Sequence, residues 1–410
     1  MTPEPMTPEP GEPSGAGTAE HVTVAGRPAL LRSINEQNVL NAIRSAGSLS
    51  RRELTGIARL SKPTIGLVLE SLSSAGLVRV GGRCSGARGP SALLYEIDPD
   101  IGYVMALDVG FEYLRGAIAD IRGTVRARGS CRVHGTSGKG RAADLVALAG
   151  NLVEQVGITD KVVTQTVVGY PGVHDPGTGP TGARNPWHRP GGGASAVSTR
   201  DIKRYFGNGA ITENDINLAA LAEHDHGHAR NVESFAFVSV GSGIGVGMVL
   251  GGKLHKGAHG AAGEIGFMPL RPPCTGGTTQ ELTSLELAAG AGGLVRQARQ
   301  AGMSGPLTAR HVFEAAAGGD PRAAGVVRCA VNDVAEAIAA MCTVIDPSLV
   351  VLGGGIGKAS GFAGAVGEAL ERLLPVPPEL KVSAFGDEAV VEGGLVAGLS
   401  LAWEKLLGER

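Results

Sequence analysis

No run of about 18 apolar residues occurs anywhere in the 410-residue chain, so no segment is expected to cross a membrane. The basic start and apolar stretch of a secretory signal are also missing. The polar, acidic N-terminus leads to the expectation of a cytoplasmic protein. Cysteine is sparse: Cys84, Cys131, Cys274, Cys329 and Cys342 are odd in number, scattered, and form no C-x-x-C pair. Such usage argues against a disulfide framework and fits reduced thiols. The chain as a whole also lacks a charge bias, at −2, which leaves the nature of its partner open.

Glycine, by contrast, is plentiful, at 65 of 410 residues, about 16% against a usual share of about 7%. The glycines follow no period and are not confined to one tail, which excludes collagen and argues against simple disorder. They gather where turns and phosphate loops would sit. Hydrophobic residues at 43% and charged residues at 19% describe an ordinary globular protein, long enough for two or three domains.

Residues 1–29 duplicate a TPEP unit and continue in Gly, Ser and Pro. This stretch buries too little apolar surface to offset its ordering entropy and is expected to be a disordered tail. A basic module follows. Residues 30–96 carry nine basic groups against four acidic ones, a local +5 on a remainder of −7. That asymmetry predicts a surface for a phosphate backbone, with double-stranded DNA as the partner.

Within this module Leu31, Ile34, Val39, Leu40 and Ile43 fall close to helical spacing. Ser50-Arg51-Arg52-Glu53 is a capping-box sequence that opens a second helix. Ser61-Lys62-Pro63-Thr64 opens a third, with Ser61 as N-cap, Pro63 in the first turn, and Ile65, Val68, Leu69 and Leu72 as the buried stripe. Two short strands, 77–80 and 92–97, enclose a loop carrying Arg83 and Arg88. Three helices, a tight turn between the last two, and a basic hairpin make the winged helix-turn-helix plan. Small domains of this plan also bind protein, and the charge decides for DNA. The third helix should enter the major groove with Ser61, Lys62, Pro63 and Thr64 near base edges. Arg51 and Arg52 should meet phosphates, and Arg83 and Arg88 a minor groove or backbone.

From residue 98 the texture becomes α/β. Strands are expected at 103–109, 114–120, 125–133 and 162–170, with a helix at 141–156 and a glycine-rich hairpin at 236–250. Helices are expected at 282–302, 308–317 and 321–345, then a strand at 349–352, glycines 353–355, and a last helix near 394–407. This succession predicts two lobes with a cleft between them. His224, His226 and His228 alternate temptingly for a metal, but on a helix i and i+2 point apart, and a solvated helix end is expected instead.

In Ala106-Leu107-Asp108-Val109-Gly110, Glu213-Asn214-Asp215, Gly241-Ser242-Gly243 and Gly353-Gly354-Gly355 with their flanks, the chain resembles the ROK family, which contains repressors, open reading frames of unknown role and sugar kinases of the actin/hexokinase fold. The first of these is similar to the family's first phosphate hairpin. Glu213-Asn214-Asp215-Ile216-Asn217-Leu218-Ala219-Ala220, followed by Glu223, is the second stretch. The third, Gly241-Ser242-Gly243-Ile244-Gly245-Val246-Gly247, resembles the second phosphate loop and leads into Gly263-Glu264-Ile265-Gly266. Asp346-Pro347 with Gly353-Gly354-Gly355 resembles the nucleotide-side strand and glycine turn. The likeness spans about residues 97–405, and the winged helix before it resembles the regulator branch.

The resemblance implies an α/β protein: a winged helix-turn-helix at 30–96, then a two-lobed actin/hexokinase-like, ribonuclease H-like domain at 97–410. Its lobes would be 97–212 with 395–410, and 213–394. Asp108, Gly110, Gly241, Ser242, Gly243 and Gly245 would form the phosphate loops. Asn185, Asn214, Asp215, Glu264 and Glu281 would bind a sugar, and Asp215 would be the base that accepts a hydroxyl proton if the chain phosphorylates. Asp215 can equally be a structural carboxylate, and the glycine loop a tight hairpin. Trp187 can stack on a sugar face or anchor a core.

Two departures matter. Phe111-Glu112-Tyr113 replaces the hydroxyl and polar residue usual after the first hairpin's glycines, and a carboxylate there would repel a triphosphate, which counts against ATP. The family's structural zinc takes one His and three Cys. Phe267 stands at the His position and only Cys274 remains of the cysteines, so neither zinc nor any other cofactor is expected. The resulting expectation is a DNA-binding regulator, by family default a repressor. It would sense a sugar or sugar phosphate and act as a homodimer or homotetramer. The alternatives are an active ATP-dependent sugar kinase with an appended DNA-binding module, or a regulator that has lost ligand binding.

Overall fold

In the computed structural model the structure describes residues 28–84, 91–134, 138–159, 162–175, 179–180, 197, 199–270 and 283–408. The described residues up to Ile97 form one compact unit and those from Asp98 onward another. Among them no helix is long and apolar enough to cross a membrane.

The first unit contains α1 (Pro28–Ala46), β1 (Ser48–Ser50), α2 (Arg51–Ala58), α3 (Lys62–Ser74), β2 (Val78–Cys84) and β3 (Ala92–Ile97). Helix α2 starts where its cap dictates. The Ser50 hydroxyl accepts from the Glu53 amide at 3.3 Å, and the Glu53 carboxylate accepts from the Ser50 amide at 2.8 Å. Ser61 caps α3 in the same way, accepting from the Thr64 amide at 3.3 Å. Arg59 closes the turn between α2 and α3 in the left-handed region, φ 53°, where a residue with a Cβ carries a cost of roughly 1–2 kcal/mol. Val39, Leu40 and Ile43 of α1 pack with Leu54, Ile65, Leu69 and Leu72 as the buried core, whereas Leu31 and Ile34 are exposed.

Two details differ from the sequence expectation. Strand β1 pairs with β3 and makes a three-stranded sheet of order β1-β3-β2. Strand β2 runs on to Cys84 past residue 80, because Gly81 forms a bulge against β3. A Cβ at Gly81 would lie 2.4–2.7 Å from the Glu96 side chain.

The second unit begins with β4 (Tyr103–Val109), β5 (Tyr113–Asp120), β6 (Val125–Arg132), α4 (Gly138–Val156) and β7 (Val163–Tyr170). Short strands β8 (His174–Asp175) and β9 (Gly179–Pro180), α5 (Thr199–Phe206) and β10 (Ile211–Asn214) complete its first lobe. The second lobe opens with α6 (Asp215–His226), β11 (Phe235–Val240), β12 (Ile244–Leu250), β13 (Lys253–His255), β14 (Pro269–Leu270) and β15 (Thr283–Ser284). It continues through α7 (Leu285–Ala289), α8 (Ala291–Gln300), α9 (Ala309–Ala317), α10 (Pro321–Ile345), β16 (Leu349–Gly353) and α11 (Gly354–Gly357). Helix α12 (Phe362–Leu373), β17 (Glu379–Val382) and α13 (Ala389–Gly408) close the chain. The single helix expected over 282–302 is two, interrupted at Gly290.

Each lobe is built on a five-stranded sheet, and the two sheets have the same plan. Their orders are β6-β5-β4-β7-β10 and β13-β12-β11-β16-β17. In each, the first three strands are antiparallel, the last two join in parallel, and the switch falls at the central strand. Helix α6 packs on β11 and β12, α13 packs on β4 and β7, and the two helices cross between the sheets. The crossing is close because Gly393 has no side chain: a Cβ there would lie 1.7 Å from the Leu218 carbonyl oxygen.

Candidate functional site

The cleft between the lobes collects carboxylates. Asp108 ends β4 and Asp215 starts α6, where its Oδ1 accepts from the Ile216 amide at 2.9 Å. Glu264 follows Gly263, a glycine with φ +88° whose added Cβ would lie 1.8 Å from the Val246 carbonyl. Burial first, then the Asp215 charge, pushes the Asp108 carboxyl up to about 8, against the pull of Arg115. Burial pushes Asp215 up to about 6, although backbone amides hold it back. Glu264 is raised to about 7 by burial, then by the Asp215 and Glu286 charges.

A cavity of about 140 Å³ at this place is lined by Arg115, Asp215, Phe237, Ser239, Gly354 and Asp387, among others. It is smaller than the roughly 300 Å³ at which drug-sized ligand sites begin. Arg115, the cation in its lining, is already engaged, and so are Lys358 and Arg128, which pair with the acidic residues at 387–392. The Arg115 guanidinium lies 3.7 Å from Asp108, 3.5 Å from Asp387 and 4.0 Å from Glu388. Lys358 pairs with Asp387, and Arg128 pairs with Glu388 at 3.2 Å and with Glu392. The fully buried Glu223 holds the segment leading to this acidic pair, accepting from the Ser383 hydroxyl at 2.7 Å and the Ala384 amide at 2.8 Å.

The expected phosphate loops are tight turns held in part by their own bonds. The Gly241 amide donates to the Gly243 carbonyl at 2.9 Å, and Glu286 lies over the loop, accepting from the Ile244 amide at 3.3 Å. Ser242 is exposed at the turn, and Gly245 leaves room for Ile216, 2.5 Å from where its Cβ would be. Gly110 turns tightly against the Tyr113 carbonyl, while Arg141 clamps the carbonyls of Gly110 at 2.9 Å and Phe111 at 2.8 Å. Raised carboxyls such as Asp108 and Glu264 can offer a hydroxyl compound both acceptor oxygens and, while protonated, a donor.

Among the expected sugar contacts, Asp215 and Glu264 are coupled in one cluster. Asn214 has both amide atoms engaged. Its Oδ1 caps α6, accepting from Ile216 and Asn217 at 2.9 and 3.0 Å, and its Nδ2 donates to the Gly172 carbonyl at 3.0 Å. Asn185, Trp187, Cys274, Glu281 and Arg88 lie outside the described residues. Among the described residues no group of three or more His, Cys, Asp or Glu side chains is placed to hold a metal ion. The His224 ring stacks on Phe235 at 6.0 Å, and His226 and His228 are exposed. Sequence reasoning missed Arg115, Lys358, Asp387 and Glu388, since only the closed fold brings them together.

On the first unit, Ser61, Lys62 and Pro63 are exposed at the start of α3 beside Thr64, and the Ser61 and Thr64 hydroxyls bond each other at 2.8 Å. Arg51 is turned onto the hairpin, its Nε donating to the Tyr95 hydroxyl at 3.0 Å. Arg52 and Arg83 are exposed, Arg83 on β2 beside the hairpin tip.

Residues 104–397 match the model of the ROK family. The bifunctional enzyme NanE/NanK of Brucella melitensis is 35% identical over 181 residues, 44% of this chain but 33% of its own length. This chain therefore matches about a third of that relative. The xylose repressor of Caldicellulosiruptor bescii is 24% identical over 405 residues, covering 92% of this chain and 98% of the repressor. A crystal structure of a ROK family transcriptional regulator, a homologue of the E. coli MLC protein, aligns with a TM-score of 0.69 at 22% identity, covering 92% of this chain and 98% of that one.

Proposed function

Since this chain belongs to the ROK family, we propose that it is a DNA-binding transcription regulator whose cleft senses a carbohydrate or related small molecule. The observation that carries this reading is the co-linear match to a repressor over 92% of the chain, basic first unit included. The engaged Arg115 and Lys358 support a ligand cleft without nucleotide chemistry. Repression is the default mode, in the cytoplasm, on double-stranded DNA. A single winged helix makes few base contacts, so a homodimer or homotetramer on a pseudo-palindrome is part of the proposal. Effector and operator are linked: a ligand that favours one lobe arrangement shifts DNA affinity by its own differential affinity for the two states.

The test is fluorescence anisotropy of DNA from the gene's own upstream region, titrated with protein, then with sugars and sugar phosphates. Competitor-resistant binding that one sugar releases supports the reading. Lys62→Ala combined with Arg88→Ala should weaken binding more than about tenfold and lower the salt slope by about 1 to 2. Unchanged affinity would remove these residues from the interface.

Asp215, retained at the start of α6, favours a second reading: an ATP-dependent sugar kinase with the same DNA module. ADP release with a monosaccharide panel, lost in Asp215→Ala, would support it. In the sensor reading the same variant should abolish the rise in melting temperature caused by the effector sugar. A rise that survives the substitution would place the sugar away from Asp215. No rise with any sugar would mean that the cleft has lost ligand binding.

A further inference from the structure

We propose that α3 reads thymine through its 5-methyl group, with Leu67 as the residue that determines this specificity. The inference rests on the DNA-binding reading above and adds the chemistry of the bases recognised. Ile65, Val68, Leu69 and Leu72 are buried under α3, so the face left to a groove is Lys62, Pro63, Gly66, Leu67 and Glu70. That face is poor in hydrogen-bonding groups. Its hydrogen-bonding side chains stand at the two ends, Lys62 with the Ser61 and Thr64 hydroxyls (2.8 Å apart) before Leu67, and Glu70 and Ser73 after it. Pro63, Gly66 and Leu67 offer only apolar surface. Leu67 is 69% exposed and, with Pro63, Gly66 and the half-exposed Val80, forms the apolar lining of a groove open to solvent beside α3.

In the major groove the one apolar mark on a base pair is the thymine 5-methyl group, and contact with it separates A·T from G·C without hydrogen bonds. Gly66 favours close approach. A Cβ there would meet nothing within 4 Å, so the fold itself does not require the glycine. In a helix interior it is less favourable than alanine, a disadvantage that an outside surface coming close to the backbone would explain. Charge complementarity points to DNA as the occupant rather than a protein. Arg59 and Lys62 stand at the facing ends of α2 and α3, where the N-terminus of α3 adds its positive dipole end, and Arg52 is exposed at the start of α2. Glu70, about two turns further, keeps the later part of α3 away from phosphates.

The experiment selects duplexes from a random library with the full chain, then replaces each thymine of the winning sequence by deoxyuridine. That replacement removes the methyl and leaves the base pairing intact. Wild-type protein should lose about fourfold in affinity for each contacted methyl removed, at one or two positions per half-site. Leu67→Ala should bind the thymine duplex as weakly as wild type binds the deoxyuridine one, and should no longer distinguish them. Gly66→Ala, which the open space around Gly66 allows to fold with a raised melting temperature, should weaken binding to both duplexes. A selected sequence whose deoxyuridine form binds wild type equally well overturns the inference. So does a Leu67→Ala protein that still discriminates. Failure to select any sequence strikes instead at the DNA-binding reading on which it rests.

Discussion

Replacing Gly393 by alanine is expected to lower the stability of the unit from Asp98 onward by about 3 kcal/mol or more. The new Cβ would lie 1.7 Å from the Leu218 carbonyl oxygen and 2.4 Å from its carbon, both backbone atoms of α6. No rotamer change relieves a clash with backbone, so one helix must move. Helix α13 has little room to do so. Gly394 and Gly398 face Ala106 and Val104 on β4, with added Cβ atoms 2.8 and 2.3 Å from those side chains. The control is Gly364→Ala in α12, where a Cβ meets nothing within 4 Å and alanine should instead stabilise by up to about 1 kcal/mol. Urea denaturation of both variants measures the contrast. Coincident curves would mean that the crossing of α6 and α13 is looser than its geometry says.

Raising the pH from 5 to 8.5 is expected to destabilise the folded protein, opposite to what salt-bridged carboxylates would do. Asp215, Glu264 and Asp108 are pushed up to about 6, 7 and 8 in the fold, from ordinary values near 3.8, 4.5 and 3.8. An unfolded chain releases these three protons near pH 4, whereas the folded chain keeps them until each raised value is passed. The folded state therefore binds more protons in between. Their stabilising contribution is full below about pH 4 and is lost as the pH rises through 6 to 8. The total is on the order of several kcal/mol. Asp108→Asn keeps the shape of the side chain and removes the largest of the three shifts. It should match wild type only below about pH 4, and its excess in denaturant midpoint should grow steadily from pH 5 to about pH 8. Identical pH dependence in both proteins would remove Asp108 from this account. Asp320, held at about 2 by Arg322 on the surface, acts on the acid side and leaves this window untouched.

How much of this was written in the chain depended on how local each cause is. The starts of α2 and α3 were legible because Ser50, Glu53, Ser61 and Pro63 act on amides within their own first turn. Strand β4, with all seven residues buried, and the 25-residue α10 were legible from apolar pattern alone. The doubled sheet plan was not, since parallel pairs such as β4 with β7 and β11 with β16 join distant segments and leave no repeat in the residues. Arg115 and Asp387 lie 272 residues apart in the chain, and nothing beside either predicts their meeting. Asn214 was recognisable as a special residue, but its motif does not say whether its amide faces a ligand or caps a helix. Glycine was the least transparent signal. Part of its excess serves the turns that were expected, and part, as at Gly393 and Gly245, serves helix contact that only the packed molecule reveals.

The crossing at Gly393 also divides α13 unequally. The helix runs from Ala389 to Gly408, about 30 Å at 1.5 Å per residue, and the contact lies about 6 Å from its start and about 22 Å from its end. The short segment begins beside Asp387 and Glu388 at the cleft. The long one lies on β4 at Gly394 and Gly398 and is tied down again by the Trp403 indole, which donates to the Ile121 carbonyl at 3.2 Å. Held on both sides of the crossing, this last helix is a strut that ties the rim of the cleft to the sheet of the first lobe.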